Sequence, residues 1–303
     1  MVRLITGAGG MMGSHLYETL IAQGKDVFPT FHNSTLPMLT REEQTISEDM
    51  VELDVLDYKR VVEVLDEIKP SVIYHLAAQS RPDVSFDNPV LTFEINVMGT
   101  LHLLQACYEL NLKPLFINAS SSAVYGDIDW SIPPDENHVC KPMSPYGSSK
   151  LAQENVVYNF YRMHDMPYVN VRIFNCTGPR KISDFISDVC ERYAKGEVPL
   201  RVGNLNNFRS ITDVRDMVRG LILCENIKNE TINLGSDVAH NIGDMTKMIA
   251  PNVEYKVMDE LLRPVDEHII LGNINKAKDL LGWKQEITLE QTISDTLDYW
   301  RNL

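Results

Sequence analysis

What this chain of 303 residues lacks bounds its chemistry. It has no run of about 20 apolar residues, the length a helix needs to cross a bilayer, so no membrane partner is expected. Its cysteines, Cys107, Cys140, Cys176, Cys190 and Cys224, are odd in number and form no CxxC pair, which argues for reduced thiols and against a zinc site. The eight histidines show no ligand spacing either, so no metal is expected. Basic residues are few. The 28 Lys and Arg against 42 Asp and Glu leave a formal charge of −14, a field that attracts neither nucleic acid nor an anionic membrane. There is no internal repeat and no low-complexity tract, and Val2 opens a strand-like run with no signal peptide before it, so a cytoplasmic protein is expected.

What is present begins at the second residue. Val2 to Thr6 reads as a buried strand, and Gly7, Gly10 and Gly13 follow in Thr6-Gly-Ala-Gly-Gly-Met-Met-Gly13. That spacing turns the chain tightly, lets a pyrophosphate approach bare backbone and packs the next helix closely. The helix is expected over Ser14 to Gln23, with Leu16, Leu20 and Ile21 on one face and its N-terminal amides aimed at phosphate. An acidic residue at the end of the second strand would mark NAD. Val27-Phe-Pro-Thr-Phe-His-Asn33 has none; His32 and Asn33 sit where a 2′-phosphate could be received, which leans towards NADP and leaves NAD open. Asp54, ending the next strand in Val51-Glu-Leu-Asp-Val55, is either a partner for the adenine amino group or a cap of the strand end.

A second motif, Ser144-Pro-Tyr-Gly-Ser-Ser-Lys150, places Tyr146 and Lys150 four residues apart on an expected helix and therefore on one face. An ammonium beside a phenol is expected to hold the phenol's pKa down towards neutrality, giving a usable general acid or base. Upstream, Asn118-Ala-Ser-Ser-Ser-Ala-Val-Tyr-Gly126 ends a strand with hydroxyls suited to the same substrate oxygen.

Together with His75-Leu-Ala-Ala-Gln-Ser80, Arg172-Ile-Phe-Asn-Cys-Thr-Gly-Pro179, Val202-Gly-Asn-Leu205, Arg209-Ser-Ile-Thr-Asp-Val-Arg-Asp216 and Arg263-Pro-Val-Asp-Glu-His-Ile-Ile-Leu-Gly272, these motifs resemble the extended short-chain dehydrogenase/reductases that modify nucleotide sugars. Within that branch the chain is similar to GDP-mannose 4,6-dehydratases and GDP-4-keto-6-deoxymannose reductases. The resemblance implies a catalytic trio of Ser121, Tyr146 and Lys150, with Ser122 beside the substrate. It implies an NAD(P) site that also takes in Met11, Met12, Val55, Leu76, Ala77 and Ala78. Arg209 and Arg263 match diphosphate-binding arginines, Asn175 an asparagine beside the diphosphate, and Val202 to Leu205, with Asn204, the loop under the base. Where the dehydratase pattern has Arg-Lys, this chain has Asp188-Val189, and Asp188 is suited to accept from guanine N1 and N2. Lys181 is a weaker candidate. Two residues before Tyr125, dehydratases place Glu and the fucose-forming epimerase/reductases place Cys; this chain has Ala123. A methyl group neither takes nor gives a proton, which leaves hydride transfer at C4, as reduction, oxidation or epimerisation.

The expected fold is α/β, a doubly wound parallel sheet (Rossmann) with a smaller C-terminal substrate-binding lobe. Strands are expected at Val2 to Thr6, Asp26 to Thr30, Val72 to Leu76, Leu115 to Ser120 and Tyr168 to Phe174. The dinucleotide-binding domain is expected over 1–174 plus 212–235, and the nucleotide-sugar lobe over 175–211 plus 236–303. The partner implied is a nucleotide sugar, GDP-linked, with selectivity in the loop Asp127 to Pro142. Family likeness also implies a homodimer through helices beginning near Thr92 and Ser148, with Leu101, Leu104, Val156 and Val157 facing either the partner or the sheet. The loop Phe31 to Gln44 would join dimers into a tetramer.

Overall fold

The computed structural model describes residues 1–32, 48–126, 128–262 and 268–303. The first half alternates strand and helix: β1 (Val2–Thr6), α1 (Met11–Ala22), β2 (Asp26–Phe31), β3 (Val51–Glu52), α2 (Tyr58–Ile68), β4 (Val72–His75), the short α3 (Pro82–Asp87) and α4 (Pro89–Phe93), a π-helical turn (Glu94–Met98), α5 (Gly99–Glu109), β5 (Leu115–Ser121), α6 (Pro145–His164) and β6 (Tyr168–Ile173). The second half is more broken: β7 (Cys176–Thr177), α7 (Phe185–Ala194), β8 (Leu200–Val202), β9 (Phe208–Ser210), β10 (Thr212–Asp213), α8 (Val214–Leu223), β11 (Glu230–Leu234), β12 (Ala239–Asn241), α9 (Ile242–Ile249), β13 (Tyr255–Val257), β14 (Ile269–Ile270), α10 (Asn275–Leu281) and α11 (Leu289–Arg301).

Seven strands form one parallel sheet in the order β11-β6-β5-β4-β1-β2-β3. The order reverses at β1, which is the doubly wound topology and sets the ligand crevice beyond the carboxyl ends of the strands. The register pairs Thr6 with His75, His75 with Asn118, and Ser121 with Ile173, so the two motifs reach one edge of the sheet.

Both faces of the sheet are covered, which is why its strands read as apolar runs rather than alternating ones. On one face Leu16 and Leu20 of α1 meet Met217 and Leu221 of α8, with Ile274, Ala277 and Trp283 completing that core. On the other, Val61, Leu65, Leu103, Leu104, Val157 and Phe160 pack from α2, α5 and α6. A further core gathers Ile186, Val189, Leu200, Met245, Ile249, Ile293 and Leu297 from α7, β8, α9 and α11.

One local expectation is corrected and one alternative is decided. The helix α1 starts at Met11, and Ile21 is 47% exposed rather than sharing the buried face of Leu16 and Leu20. The physical reason is the helical step: position 20 is i+4 from Leu16 and returns to its face, whereas position 21 lies about 100° further round. Of the residues offered to a partner helix, Leu104 and Val157 are buried in the sheet-side core, and Leu101 and Val156 pack against it. The helical stretch Pro89 to Glu109, although interrupted by polar residues, is long and apolar enough to cross a membrane by length and composition. It also carries buried Thr92, Asn96 and Thr100, whose polar atoms bond Gln79, Ser149 and His75, as befits a core helix.

Candidate active site

The glycine turn is built by close approach. Gly7 has φ +74°, and a Cβ there would sit 2.8 Å from the Ala77 nitrogen; one on Gly13 would sit 2.2 Å from the Gly7 oxygen. Gly10 is different: its Cβ would meet only the Gly7 oxygen, at 3.5 Å, and otherwise face open space. No side chain caps α1 at Gly10, so its first-turn amides are available to an anion. These features fit a dinucleotide pyrophosphate over Gly10, Met11 and Met12, with Leu76 and Ala77, which follow β4, closing against Gly7; Ala78 follows them. Val55 is buried against Gly99, where a Cβ would come within 2.5 Å of its Cγ2. At the distal end, Asp54 accepts from the Leu56 amide at 2.9 Å and holds its other oxygen 3.7 Å from His32 Nε2. The strand-end cap is thus present, and the second oxygen makes a half-exposed pair with the His. Asn33 lies outside the described residues.

The helix α6 begins where the chemistry does. The Ser144 hydroxyl accepts from the Gly147 amide at 3.0 Å as N-cap, and Pro145 presets the first turn. A Cβ on Gly147 would lie 2.5 Å from the Ala123 oxygen, so its bareness lets α6 rest directly on the turn that carries Ser121, Ser122 and Ala123. Tyr146 and Lys150 share the inward face, both buried, with the Lys150 Nζ 5.9 Å from the centre of the Tyr146 ring. Lys150 Nζ donates to the Ala119 carbonyl at 2.8 Å and to Gln153 Oε1 at 3.0 Å. Ser121 Oγ accepts from the Ala123 amide at 3.2 Å, which leaves its own proton to donate. The structure therefore brings the three motif residues together at the carboxyl end of β5.

The electrostatics differ from the expected tuning. Burial pushes the Tyr146 phenol up, and the Ser121 hydroxyl opposes this only in part. It is Lys150 that moves towards neutrality, lowered by burial to about 7, with Glu154 acting the other way. The reason is geometric: the ammonium is aimed at Ala119 and Gln153 rather than at the phenol oxygen. His75, behind it, is bonded to Thr6 Oγ1 at 2.8 Å and Thr100 Oγ1 at 2.9 Å, and burial, aided by Lys150, holds it down at about 3, a neutral packed residue.

The substrate candidates are spread over the crevice. Asn175 follows β6 two residues beyond Ile173, the partner of Ser121, and its Nδ2 donates to the Ser210 carbonyl at 3.1 Å. Arg209 lies in β9, largely buried, and its Nη1 donates to the Phe208 carbonyl at 2.8 Å. Val202 is buried at the end of β8, and Asn204 Oδ1 accepts from the Asn206 amide at 3.0 Å, the mark of a turn former. Asp188 sits in the first turn of α7; burial, with Asp184 nearby, pushes its carboxyl up to about 6. The Lys181 carbonyl accepts from the Ser187 hydroxyl. Arg263 and Asp127 lie outside the described residues.

Two groups were not singled out by sequence. Arg81, at the N-cap position of α3 and paired with Asp83 at 2.7 Å, lies near enough to Asp188 to oppose in part the rise that burial gives its carboxyl. Glu154 is buried with Arg172 at 2.8 Å, one turn beyond Lys150. The i, i+4, i+8 spacing of Tyr146, Lys150 and Glu154 was the available signal.

A doubly wound sheet, a bare glycine turn and a converging Ser, Tyr and Lys define an extended short-chain dehydrogenase/reductase. The chain belongs to the GDP-mannose 4,6 dehydratase family, whose model matches residues 4–296, within the nucleotide-sugar epimerases and dehydratases. It is 28% identical to GDP-mannose 4,6 dehydratase 2 of Caenorhabditis elegans, over 97% of this chain and 87% of that one. Among solved structures it is similar to the UDP-glucose 4-epimerase of Thermus thermophilus in complex with NAD, at TM-score 0.89 and 27% identity, over 99% of both chains. It is also similar to RMD from Pseudomonas aeruginosa complexed with NADPH, at TM-score 0.83 and 26% identity, over 99% of both chains.

Proposed function

We propose that this enzyme reduces the C4 keto group of a GDP-linked 4-keto-6-deoxy sugar, hexose or heptose, with NAD(P)H. The observation that carries the reading is Ala123: it stands on the turn that α6 rests upon, beside a complete Ser121, Tyr146 and Lys150, with a methyl group where related enzymes hold a proton-transferring side chain. NAD(P) is the cofactor, and bound NAD(P)H supplies the hydride to C4. Tyr146 gives its proton to O4 as the carbonyl becomes an alkoxide, and the Ser121 hydroxyl donates a hydrogen bond to the same oxygen. Lys150 has one ammonium proton beyond those on Ala119 and Gln153, and it holds a ribose hydroxyl of the cofactor. Arg209, Arg263 and Asn175 hold the diphosphate, and Asp188 receives the guanine edge.

A second reading, a nucleotide-sugar 4-epimerase, is favoured by the likeness to UDP-glucose 4-epimerases and by the closure of the trio. Lys150 is 3% exposed, and an epimerase returns to O4 the proton it removed. The test is incubation with GDP-4-keto-6-deoxymannose and NADPH or NADH, followed by absorbance and by mass for a product two hydrogens heavier. Conversion of UDP-glucose to its C4 epimer, with no reduction of the keto sugar, would instead establish the second reading.

A further inference from the structure

The buried polar groups beneath the trio are more than a packing solution. Glu154 lies on the same face of α6 as Tyr146 and Lys150, and its carboxylate takes hydrogen bonds from the Ser120 hydroxyl at 2.5 Å, from Arg172 Nε at 3.0 Å and from Arg172 Nη2 at 2.8 Å. Ser120 precedes Ser121 on β5, and Arg172 stands on β6. The other arm of Arg172 donates to the Tyr125 hydroxyl and to the Glu136 carbonyl, both at 3.1 Å, and its guanidinium lies 5.0 Å from the centre of the Tyr125 ring. The Tyr125 hydroxyl proton faces Asn233 Oδ1 at 2.6 Å and the Asp135 carbonyl at 3.0 Å. One carboxylate thus joins the helix of Tyr146 and Lys150 to the strand of Ser121, and through Arg172 to the loop carrying Glu136.

Charge follows the same path. The titratable and charged groups facing Lys150 are Tyr146 and Glu154 from α6, His75 from β4, and Arg172 from β6 on the far side of Glu154. His75 is neutral and Tyr146 is protonated, so the Glu154 carboxylate, ion-paired with Arg172 and one turn along the same helix face, is the nearby anion that favours the buried ammonium. An uncompensated charge in such a place sheds its proton.

We propose that Glu154, anchored by Arg172 and Ser120, is a positioning residue that keeps Lys150 protonated to a higher pH than its burial alone would allow, and so able to hold the cofactor ribose. The proposal rests on the reading above only for what Lys150 holds; the charge relation itself is a property of the chain without substrate.

The test is a titration of the Lys150 Cε resonance by NMR in the full chain carrying ¹³C-labelled lysine, assigned by its loss in Lys150→Met. Glu154→Gln keeps the volume and removes the charge, so the midpoint of Lys150 is expected to fall by at least about half a pH unit. Glu154→Asp keeps the charge and is expected to restore most of that difference. Should the single variant not fold, Glu154→Gln with Arg172→Met replaces the pair by neutral groups, and the midpoint is again expected below wild type, because the carboxylate is the nearer of the two charges. A midpoint unmoved in the folded Gln variant, or unmoved in the double variant, would overturn the proposal and leave Glu154 as a structural anchor. This readout needs no substrate, so inactivity of the wild type on keto sugars would count against the proposed reaction and not against Glu154.

Discussion

Gly13 and Gly7 are packed so closely that a methyl group on the first would stand 2.2 Å from the carbonyl oxygen of the second, whereas Gly10, between them, faces open space. The first relationship belongs to the fold and the second to the ligand. Gly13→Ala is expected to lower stability by about 1–3 kcal/mol, because the turn and α1 must move apart. Gly10→Ala is expected to leave the melting temperature nearly unchanged while weakening dinucleotide binding at least about tenfold, or about 1.4 kcal/mol. Thermal melts and a cofactor titration on both variants check this, and equal losses in both measurements for both variants would contradict it.

Tyr146→Phe removes only the hydroxyl proposed to protonate O4. Turnover is expected to fall by at least about 10²-fold, the usual contribution of a general acid, with cofactor affinity nearly intact. A variant that keeps more than about a tenth of the wild-type rate assigns the proton to another group.

Lys150 carries a pH signature in stability as well. Its folded value of about 7 lies below its ordinary 10.5, so in that window the unfolded chain binds a proton that the folded chain has released. Stability due to this group therefore rises with pH between the two values, and its burial penalty is complete below about 7. The melting temperature of Lys150→Met relative to wild type is expected to be more favourable at pH 6 than at pH 9.5. A difference that does not change with pH would contradict the lowered folded value of Lys150.

The surface offers a reason to expect self-association. Phe86, Val90, Phe93 and Met98 are exposed on α3, α4 and the π-helical turn that precedes α5. We propose a homodimer that covers this patch, in place of the inward-facing Leu104 and Val157. Sedimentation is expected to show a dimer at micromolar concentration, with Val90→Lys and Phe93→Lys together shifting it to monomer; a stable wild-type monomer would rule the proposal out.

Much of this is legible in the sequence. The strand-turn-helix at Val2 to Ala22 and the pair Tyr146 and Lys150 are local patterns, each fixed by residues a few positions apart, and sequence expresses such spacings directly. Ile21 was misplaced because a run of apolar residues does not by itself say where the buried face of a helix ends. The direction of charge tuning was misread for a different reason. It depends on where Lys150 aims, which is set by Ala119 and Gln153, and on the Glu154–Arg172 pair, whose members lie on different elements. Long-range pairings of that kind leave no periodicity to read, and the same holds for the approach of Arg81 to Asp188.

The central claim is that hydride reaches C4 in a site where Ala123 stands in place of the dehydratases' base for C5. The most direct measurement presents GDP-mannose and GDP-4-keto-6-deoxymannose separately to the purified protein with NAD(P) in the matching oxidation state, and follows products by mass and cofactor by absorbance. The expected result is no loss of water from GDP-mannose, and oxidation of NADPH or NADH with the keto sugar gaining two hydrogens. Formation of the 4-keto-6-deoxy sugar from GDP-mannose would contradict the account, because another side chain would then be reaching C5 in place of Ala123.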